Sequence, residues 1–525
     1  MIRLRLSDGT MRELAAEPGR TLAQAIFLHH EPGRPGVWDG VPLCAGLGKC
    51  GLCRVRFADR APEAVAEESK RLGAAAVAEG WRLSCLHRCD ELPQGCAVEL
   101  PEPRRASARV SARPRSGRPA ADLAVDLGTT SIHWAAASGG TTVASGQALN
   151  PQMGLGSEVM SRLAFAARPG GAEILRGLVL DRLRAVAAEA GAVRRLCVAG
   201  NSAMTYLLLG LPTEGLARAP YRLDYAGGDL RPLADGLPEA LIPPLLAPFV
   251  GADLSAGMTA LRFAPGDSPE YPFLLADLGT NGEFVLALSE SEHLLASVPM
   301  GPALEGVGLR HGRVAAPGAV RAYTLSPAGL VPEYVERPPL AGEDAAGITG
   351  VGYLSLAAAL LRAGALDESG RFVVPATPLG RRLAAGIPDA GGEPALALPG
   401  GLSLPASDVE ELVKVKAAFN LAFSRLLAEA GIRPMDLAAV HLAGAMGEHA
   451  DARDLAALGF LPEPLVGRVR RAGNTSLAGA GMLLESPAAW DWARGLPEKC
   501  RALDLAADPR FGALYVERMV LRHVP

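Results

Sequence analysis

The sequence is poor in aromatic residues, in net charge and in long apolar runs. Phe, Tyr and Trp make up 5% of the 525 residues, and the formal net charge is −4. No stretch of 18 apolar residues is free of proline, glycine and charge, and the N-terminus has no continuous apolar segment. We therefore expect no membrane span, no secretory signal and a cytoplasmic location. With 49% apolar and 21% charged residues, the composition is typical of a globular protein of several domains.

Basic residues are concentrated in one short segment. Residues 101–120 contain six arginines and one glutamate, with no aromatic residue among them. A basic run can bind nucleic acid, but base stacking needs interleaved aromatic side chains. A solvated, flexible linker is the favoured interpretation, and we expect no nucleic-acid partner.

Cysteine is absent from most of the chain and clustered near its start, where six of the eight cysteines fall between positions 44 and 96. In a cytoplasmic protein this clustering indicates metal binding rather than disulfides. Cys44, Cys50 and Cys53 share a glycine-rich loop, and Cys85 follows later. After a predicted hairpin and a helix at 22–30, the Cys-x5-Cys-x2-Cys spacing favours a 2Fe-2S cluster, with a four-cysteine zinc site as the alternative.

Two similar segments, about 150 residues apart, indicate a duplicated unit. Each consists of an apolar strand that ends in aspartate, a Gly-Thr turn and a second apolar strand. The residues of interest are Asp126, Thr129 and Thr130 in the first segment and Asp277, Gly279, Thr280, Asn281 and Glu283 in the second. Such a turn lets the backbone approach phosphate oxygens, and the aspartate can hold a hydrated magnesium ion. Two facing copies would clamp a nucleotide from both sides.

Further candidate residues follow strands elsewhere in the chain. Asn201 comes after a predicted strand at 196–199, where it either caps the next helix or helps to bind an anion. Glu305 lies in a glycine-bent segment and is expected to be buried. Gly444 and Gly447 form a glycine-rich turn that leaves room for a base or ribose. Long helices are predicted at 171–190 and at 408–430, the second with a capping box of Ser407 and Glu410.

Taken together, these motifs resemble one family. A Cys-rich N-terminal segment precedes Asp-Leu-Gly-Thr-Thr, Gly-Asn-Ser-Ala-Met, Asp-Leu-Gly-Thr-Asn-Gly-Glu, Gly-Pro-Ala-Leu-Glu-Gly, Ile-Thr-Gly and Leu-Ala-Gly-Ala. This set is similar to that of the ATP-dependent reductive activators of corrinoid proteins. The resemblance implies a β-grasp 2Fe-2S ferredoxin domain at 1–100, the linker at 101–120, and two lobes of an actin/sugar kinase-like α/β ATPase at 121–265 and 266–525. Members often carry a middle domain as well, for which only about twenty residues are expected here.

The resemblance also implies a function and a set of roles. The expected reaction is one-electron reduction of a corrinoid protein from Co(II) to Co(I), driven by ATP, which reactivates a methyltransferase system. The implied cofactors are a 2Fe-2S cluster, ATP and Mg²⁺; the implied partners are the corrinoid protein and an upstream low-potential donor, with a homodimer as a candidate assembly. The implied roles are cluster ligation by Cys44, Cys50, Cys53 and Cys85; magnesium and water binding by Asp126, Asp277 and Glu283; and nucleotide binding by Thr129, Thr130, Asn201, Gly279, Thr280, Asn281, Gly444 and Gly447.

Three alternatives stay open on sequence grounds. A redox-sensing kinase of a small metabolite would need a general-base aspartate, and no motif marks one. An activator of another low-potential enzyme would share every motif above. A nucleotide-gated binding protein would bind ATP without partner-stimulated turnover.

Overall fold

The computed structural model describes the chain except residues 16, 30–37, 39–40, 42, 103–108, 111–119, 267, 340–344, 346, 375–376, 388–392, 445–446 and 448. Most of the expected linker and the middle of the 444–447 turn therefore lie outside the described residues. None of the described helices is long and apolar enough to cross a membrane.

The N-terminal domain is a five-stranded mixed sheet with one main helix. Alternation along the first strand buries Ile2 and Leu4 and leaves Arg3 and Arg5 exposed, so one face of the sheet forms the core. The strand order is β2-β1-β5-β3-β4, with β1 antiparallel to β2 and parallel to β5. This arrangement agrees with the β-grasp expectation. The elements are β1 Ile2–Arg5, β2 Met11–Leu14, β3 Arg54–Phe57, β4 Trp81–Leu83, β5 Ala97–Glu99, α1 Leu22–Leu28, α2 Ala66–Leu72 and α3 Ala74–Ala78.

The second region is built on a seven-stranded sheet of order β11-β12-β10-β7-β8-β9-β6. Strand β7 pairs antiparallel with β8 and parallel with β10, so its buried apolar run has neighbours on both sides. Its elements are β6 Arg109–Val110, β7 Ala121–Leu127, β8 Ser131–Ser138, β9 Thr141–Leu149, β10 Val193–Gly200, β11 Asp229–Arg231, β12 Ala240–Ile242, α4 Val159–Ala166, α5 Gly171–Ala190, α6 Ser202–Leu209, α7 Glu214–Ala217 and α8 Ala252–Phe263.

The third region repeats this plan in a six-stranded sheet of order β21-β20-β13-β14-β15-β22. Its strands are β13 Phe273–Leu278, β14 Asn281–Ala287, β15 His293–Pro299, β20 Ala439–Gly444, β21 Val469–Gly473 and β22 Cys500–Ala502, and the hairpins are β16 Val320–Ser326 with β17 Gly329–Tyr334 and β18 Ala395–Leu398 with β19 Leu402–Pro405. Its helices are α9 Gly350–Arg362, α10 Pro378–Ala384, α11 Ala406–Ala430, α12 Ala452–Ala457, α13 Thr475–Glu485, α14 Pro487–Arg494 and α15 Phe511–Glu517.

The two larger sheets confirm the predicted duplication. Strand β13 pairs antiparallel with β14 and parallel with β20, as β7 does with β8 and β10. Helix α13 packs against α8 and also contacts β7, so a helix late in the chain joins the two lobes. Both phosphate-loop candidates thus lie at equivalent ends of equivalent strands, facing one cleft.

Two local predictions were wrong. Helix α11 begins at Ala406 after Pro405, and the expected capping box of Ser407 and Glu410 is not formed. Instead, the backbone N–H of Ser407 donates to Glu393 Oε1 at 2.6 Å, so a distant carboxylate replaces the local cap. Residues 109–110, expected to be flexible linker, form the edge strand β6 and pair with β9.

Candidate functional site

The cleft between the two lobes contains a cavity of about 710 Å³. It is lined by Asp126 and Thr129 from the first loop and by Asp277, Gly279 and Thr280 from the second. Because each loop follows a buried strand of its own sheet, the duplicated topology brings them to opposite walls of the same space.

A chain of hydroxyl contacts joins the two loops. Thr130 Oγ1 and Thr280 Oγ1 lie 2.9 Å apart, and Thr280 Oγ1 also donates to Glu305 Oε1 at 2.7 Å. Since Thr280 uses its proton toward Glu305, Thr130 is the donor in the first contact. Burial raises the pKa of Glu305, while the hydrogen bond from the Thr280 side chain opposes the rise. Glu305 is half-buried rather than fully buried as predicted, and it lies at the junction of the lobes.

Asp126 is held by the start of helix α13. Asn474 Nδ2 donates to Asp126 Oδ2 at 2.7 Å, and Ser476 Oγ donates to Oδ1 at 2.9 Å. Asn474 also caps α13 by accepting from Leu477 N. The first-loop carboxylate therefore has both oxygens oriented by neutral donors.

Asp277 lies instead among other carboxylates. Burial raises its pKa well above the ordinary range, with further increases from Asp253, Asp126 and Glu305. Burial likewise raises the pKa of Glu283, with Asp253 and Asp277 adding to it. Glu283 is buried and lines the cavity, so it is not a solvent-exposed residue at the start of its strand.

Asp253 is a functional candidate that the sequence reasoning missed. It stands at the start of α8, lines the cavity, and has its pKa raised to about 7 by burial and by the charge of Asp126. Gly347, Thr349 and Gly350 also line the cavity. The sequence Gly251-Ala-Asp253 at the start of a helix is a signal that could have marked Asp253 as a candidate.

The remaining nucleotide-site candidates fall into two groups. Asn201 lines the cavity, caps α6 through Met204 N, and donates from Nδ2 to Thr129 Oγ1 at 2.9 Å. Asn281 and Gly444 also line the cavity. Gly444 ends β20 with φ +72°, and an added Cβ would overlap the Asp277 carboxylate, so only glycine fits there.

Gly447 occupies a different position. Its N–H donates to the Gly444 carbonyl to close the turn, and an added Cβ would meet the backbone of Leu442 and Gly473. Among the described residues it is not part of the cavity wall. A direct contact between Gly447 and adenosine thus gains no support from the geometry and stays a prediction.

The four predicted cluster ligands converge in the N-terminal domain. Hydrogen bonds between the thiols join Cys44 to Cys50 and to Cys85, and Cys53 to Cys85. These bonds lower the pKa of Cys44 well below its usual range and raise the pKa of Cys85. The Leu52 N–H also points at Cys50 Sγ, 3.4 Å away, as expected for a loop that donates to cluster sulfurs.

The donor set fits an iron–sulfur cluster by its chemistry. All four thiols are buried, and four cysteine thiolates are the usual ligands of a 2Fe-2S cluster. Among the described residues, no group of three or more His, Cys, Asp or Glu side chains is arranged to hold a metal ion. Cys89 and Cys96 lie in the apolar core of the domain, and burial raises both pKa values, to about 11 for Cys89.

The thiol-bearing domain is docked across the cleft. Phe27, Trp38, Val41 and Leu52 line the same cavity as the phosphate loops. Lys49, the residue before Cys50, forms an ion pair of 2.7 Å with Glu411 on α11. The nucleotide cleft and the cysteine loop are therefore neighbours in one assembly.

Comparison with known proteins agrees with this architecture. A family model described as the RACo middle region matches residues 121–265, and one described as the C-terminal domain of RACo, the ASKHA domain, matches residues 272–525. The chain belongs to the RACo family. Because the middle-region model covers the range expected to be the first ATPase lobe, the expectation that a RACo middle domain is missing here is wrong.

Two relatives have names that refer to corrinoid proteins. "Corrinoid activation enzyme RamQ" of Eubacterium limosum is 27% identical over 429 residues, covering 76% of this chain and 70% of the relative. "[Co(II) methylated amine-specific corrinoid protein] reductase" of Methanosarcina barkeri is 28% identical over 401 residues, covering 69% of each. A solved structure described as "Reductive activator for corrinoid,iron-sulfur protein" has a TM-score of 0.67 at 21% identity, covering 100% of this chain and 99% of that one. The RACo fold therefore extends over the whole chain, N-terminal domain included.

Proposed function

We propose that this RACo-family chain reduces a corrinoid protein from Co(II) to Co(I), one electron at a time, and that ATP binding and hydrolysis in the interlobe cleft drive the transfer. The observation that carries the proposal is the shared cavity, which has two phosphate loops on its walls and residues of the thiol-bearing domain at its edge. A simple nucleotide-gated binder would have no use for four convergent thiols beside that cavity. We further propose a cytoplasmic protein that accepts electrons from a low-potential donor.

The cysteine loop provides the electron relay in this proposal. A 2Fe-2S cluster held by Cys44, Cys50, Cys53 and Cys85 would supply one-electron chemistry near ~−400 mV. The buried sulfurs exclude water, and the Leu52 N–H stabilises negative charge on Cys50 Sγ.

Different residues of the cleft would bind the phosphates, the magnesium ion and the nucleoside of MgATP. Thr129, Thr280 and Asn281 line the cavity and would meet phosphate oxygens, with Asn201 orienting Thr129. Thr130 is fully buried and would act through its contact with Thr280 rather than by touching phosphate. Asp126 and Asp277 would bind hydrated magnesium from opposite lobes, since Mg²⁺ keeps several waters and takes one or two carboxylates. Glu283 and Gly279 complete the second wall, and Gly444, which packs against the Asp277 carboxylate, would face the nucleoside.

ATP is needed because Co(I) is a very strong reductant. Each ~59 mV by which the donor falls short costs a factor of ten in a one-electron equilibrium. Nucleotide binding can offset this only by favouring one conformation of the complex over another. The two lobes, which meet at the Thr130–Thr280 contact, are suited to this role because nucleotide binding can favour one relative position of the lobes over another.

The test uses the full chain with a Co(II) corrinoid protein, an electron donor and MgATP. The Co(I) absorption band should appear only when ATP and a reduced cluster are both present, and ATP hydrolysis should accelerate when the corrinoid protein is added. Small hydroxylated metabolites in parallel reactions should not become phosphorylated. The proposal fails if no corrinoid protein is reduced under any condition, and a phosphorylated metabolite would point to the kinase alternative.

The cluster itself has a separate test. Serine at Cys44, Cys50, Cys53 or Cys85 should abolish or perturb a red-brown chromophore with two irons and two labile sulfides per chain. Cys89→Ser and Cys96→Ser are the matched controls and should keep it. Zinc in place of iron, or a requirement for Cys89 rather than Cys85, would refute the ferredoxin assignment.

A further inference from the structure

Arg162 is a fully buried cation, and among the described residues none of its hydrogen bonds goes to a carboxylate. Its guanidinium donates instead to neutral acceptors: the Thr129 carbonyl, the Gly156 carbonyl at 2.9 Å and Gln152 Oε1 at 3.0 Å. Burial lowers its pKa to about 9, with Glu305 opposing the fall, so the group stays charged near neutral pH. A buried charge of this kind is costly unless an anion approaches it.

The acceptors of Arg162 belong to two different parts of the structure. Thr129 is in the first phosphate loop, whereas Gln152 and Gly156 lie in the segment Asn150–Arg162, which we call the connector. The connector is also tied to the loop at its start, because Asn150 Nδ2 donates to the Gly128 carbonyl at 2.8 Å and Asn150 N donates to the Thr130 carbonyl at 2.8 Å. Three consecutive residues of the phosphate loop are thus bonded to the connector.

The far side of the connector touches the cysteine loop. Ser157 Oγ donates to the Cys44 carbonyl at 3.1 Å. Gly154 lines the small pocket that also contains the four thiols. An added Cβ at Gly154 would overlap the Phe27 ring, so the two domains approach each other there as closely as glycine allows.

We propose that the connector couples the nucleotide site to the iron–sulfur site, and that Arg162 is the positioning residue that transmits the change. This inference rests on the proposed function, because it assumes that the cleft binds ATP and that the four cysteines hold a cluster. A phosphate group bound at the first loop would attract the Arg162 guanidinium. The Thr129 carbonyl, which accepts from that guanidinium, would move with it. That movement alters the Gly156–Ser157 backbone and the hydrogen bond to Cys44, and hydrogen bonds around the ligands set a cluster's potential.

Linkage makes the coupling measurable in two independent ways. If nucleotide binding shifts the reduction potential of the cluster, the oxidised and reduced proteins must bind nucleotide with different affinities. A tenfold difference in affinity corresponds to a ~59 mV shift for one electron. Neither readout depends on turnover of a corrinoid protein.

The experiment measures the potential by spectroelectrochemical titration of the cluster-loaded full chain, with and without a non-hydrolysable ATP analogue. Wild type should show a nucleotide-dependent shift equivalent to a several-fold affinity difference. Ser157→Ala should reduce that shift by at least half. Arg162→Lys keeps the positive charge but cannot bridge the Thr129 and Gly156 carbonyls, so it should abolish the shift. Ser157→Ala should retain the analogue's binding, and both variants should retain the cluster's iron content.

Two matched controls separate coupling from general damage. Arg176→Lys alters an arginine that also bridges two carbonyls, those of Leu208 and Leu233, but away from the connector. Ser84→Ala removes a similar hydrogen bond to a cluster ligand, from Ser84 Oγ to the Cys53 carbonyl at 2.7 Å. Arg176→Lys should keep the wild-type nucleotide-dependent shift. Ser84→Ala should change the reduction potential by the same amount with and without nucleotide.

The outcomes distinguish this inference from the proposed function. A protein that binds nucleotide and holds its cluster but shows no nucleotide-dependent shift overturns the coupling alone. If Ser157→Ala shows the full nucleotide-dependent shift in reduction potential, the coupling is also overturned, even if Arg162→Lys fails to fold. Loss of nucleotide binding or of the cluster in the wild type would overturn both.

Discussion

The two phosphate loops have the same sequence plan and equivalent positions in their sheets, yet their surroundings differ. In the first loop, the side chains of Asn474 and Ser476 donate to both oxygens of Asp126. In the second, burial raises the pKa of Asp277, and the charges of Asp253, Asp126 and Glu305 raise it further. One carboxylate is surrounded by hydrogen-bond donors and the other by negative charge.

This difference indicates that the duplicated loops have separate tasks. A carboxylate with both oxygens hydrogen-bonded is fixed in position, and here the donors come from α13, which also packs on α8. A group of carboxylates in a buried cleft is unfavourable until a cation neutralises it. We therefore infer that the first loop positions the lobes and that the second contributes most of the magnesium binding.

The largest expected effect is at the second loop. Asp277→Asn removes a magnesium-directed charge at nearly constant size, so MgATP hydrolysis should fall at least ~10²-fold, equivalent to ~2.7 kcal/mol of barrier stabilisation. Steady-state phosphate release at saturating magnesium measures this loss. The exposed Asp181→Asn, on α5, is the control and should hydrolyse ATP as wild type does. Unchanged hydrolysis in Asp277→Asn would mean that this loop is only structural.

The first loop should show a smaller loss of activity together with a loss of stability. Asp126→Asn replaces one of two acceptor oxygens by a donor, so one of the part-buried hydrogen bonds from Asn474 and Ser476 is lost or must rearrange, at a cost of about 1–3 kcal/mol. Hydrolysis should fall about tenfold by the same free-energy relation. Thermal unfolding and phosphate release check the two parts.

A reciprocal swap sharpens this prediction. The double variant Asp126→Asn with Asn474→Asp exchanges donor and acceptor, and aspartate can still cap α13. It should regain most of the lost stability without regaining full hydrolysis. If the swap is as unstable as the single variant, the Asp126–Asn474 contact is not what positions the loop.

A moderate, pH-dependent effect is expected at Asp253. Its pKa rises from 3.8 to about 7 in the folded protein. Because the folded protein holds this proton more tightly than the unfolded chain does, the free energy of unfolding of metal-free protein should fall as the pH rises between these values. Asp253→Asn should remove the contribution of this group to the loss of stability. In thermal melts, the stability of the variant relative to wild type should therefore increase from pH 5 to pH 8.

Magnesium provides the matching check at Asp253. Added Mg²⁺ at pH 8 should stabilise wild type more than Asp253→Asn, since the variant has less negative charge to neutralise. Parallel pH curves for the two proteins would show that Asp253 does not titrate in this range.

The smallest effect is expected where the loops touch. Thr130→Val removes the hydrogen bond to Thr280 Oγ1 and leaves the Thr280–Glu305 bond in place, at a cost of about 1 kcal/mol. A double-mutant cycle with Thr280→Val, measured by chemical denaturation, isolates the interaction. Additive effects would indicate that the interloop contact contributes nothing to holding the lobes together.

Much of the site could be predicted because its signals are local. An aspartate, a Gly-Thr turn and two flanking strands are adjacent in the chain, so their geometry follows from turn chemistry. The same holds for Asn201, whose side chain accepts from the backbone N–H three residues away. Ser407 shows the limit of such rules, because the carboxylate of Glu393 took the N–H that a local cap would have used.

The sequence by itself determined the duplicated strand–turn–strand units and the glycine-rich loop of Cys44, Cys50 and Cys53, since these depend on residue type and spacing over short stretches. Tertiary structure alone decided which groups surround them. Asp126 meets Asn474 across 348 positions of the chain, and Cys44 meets Ser157 across 113. Contacts at such separations carry no local signal, because they depend on how packed lobes and domains bring distant strands and helices together.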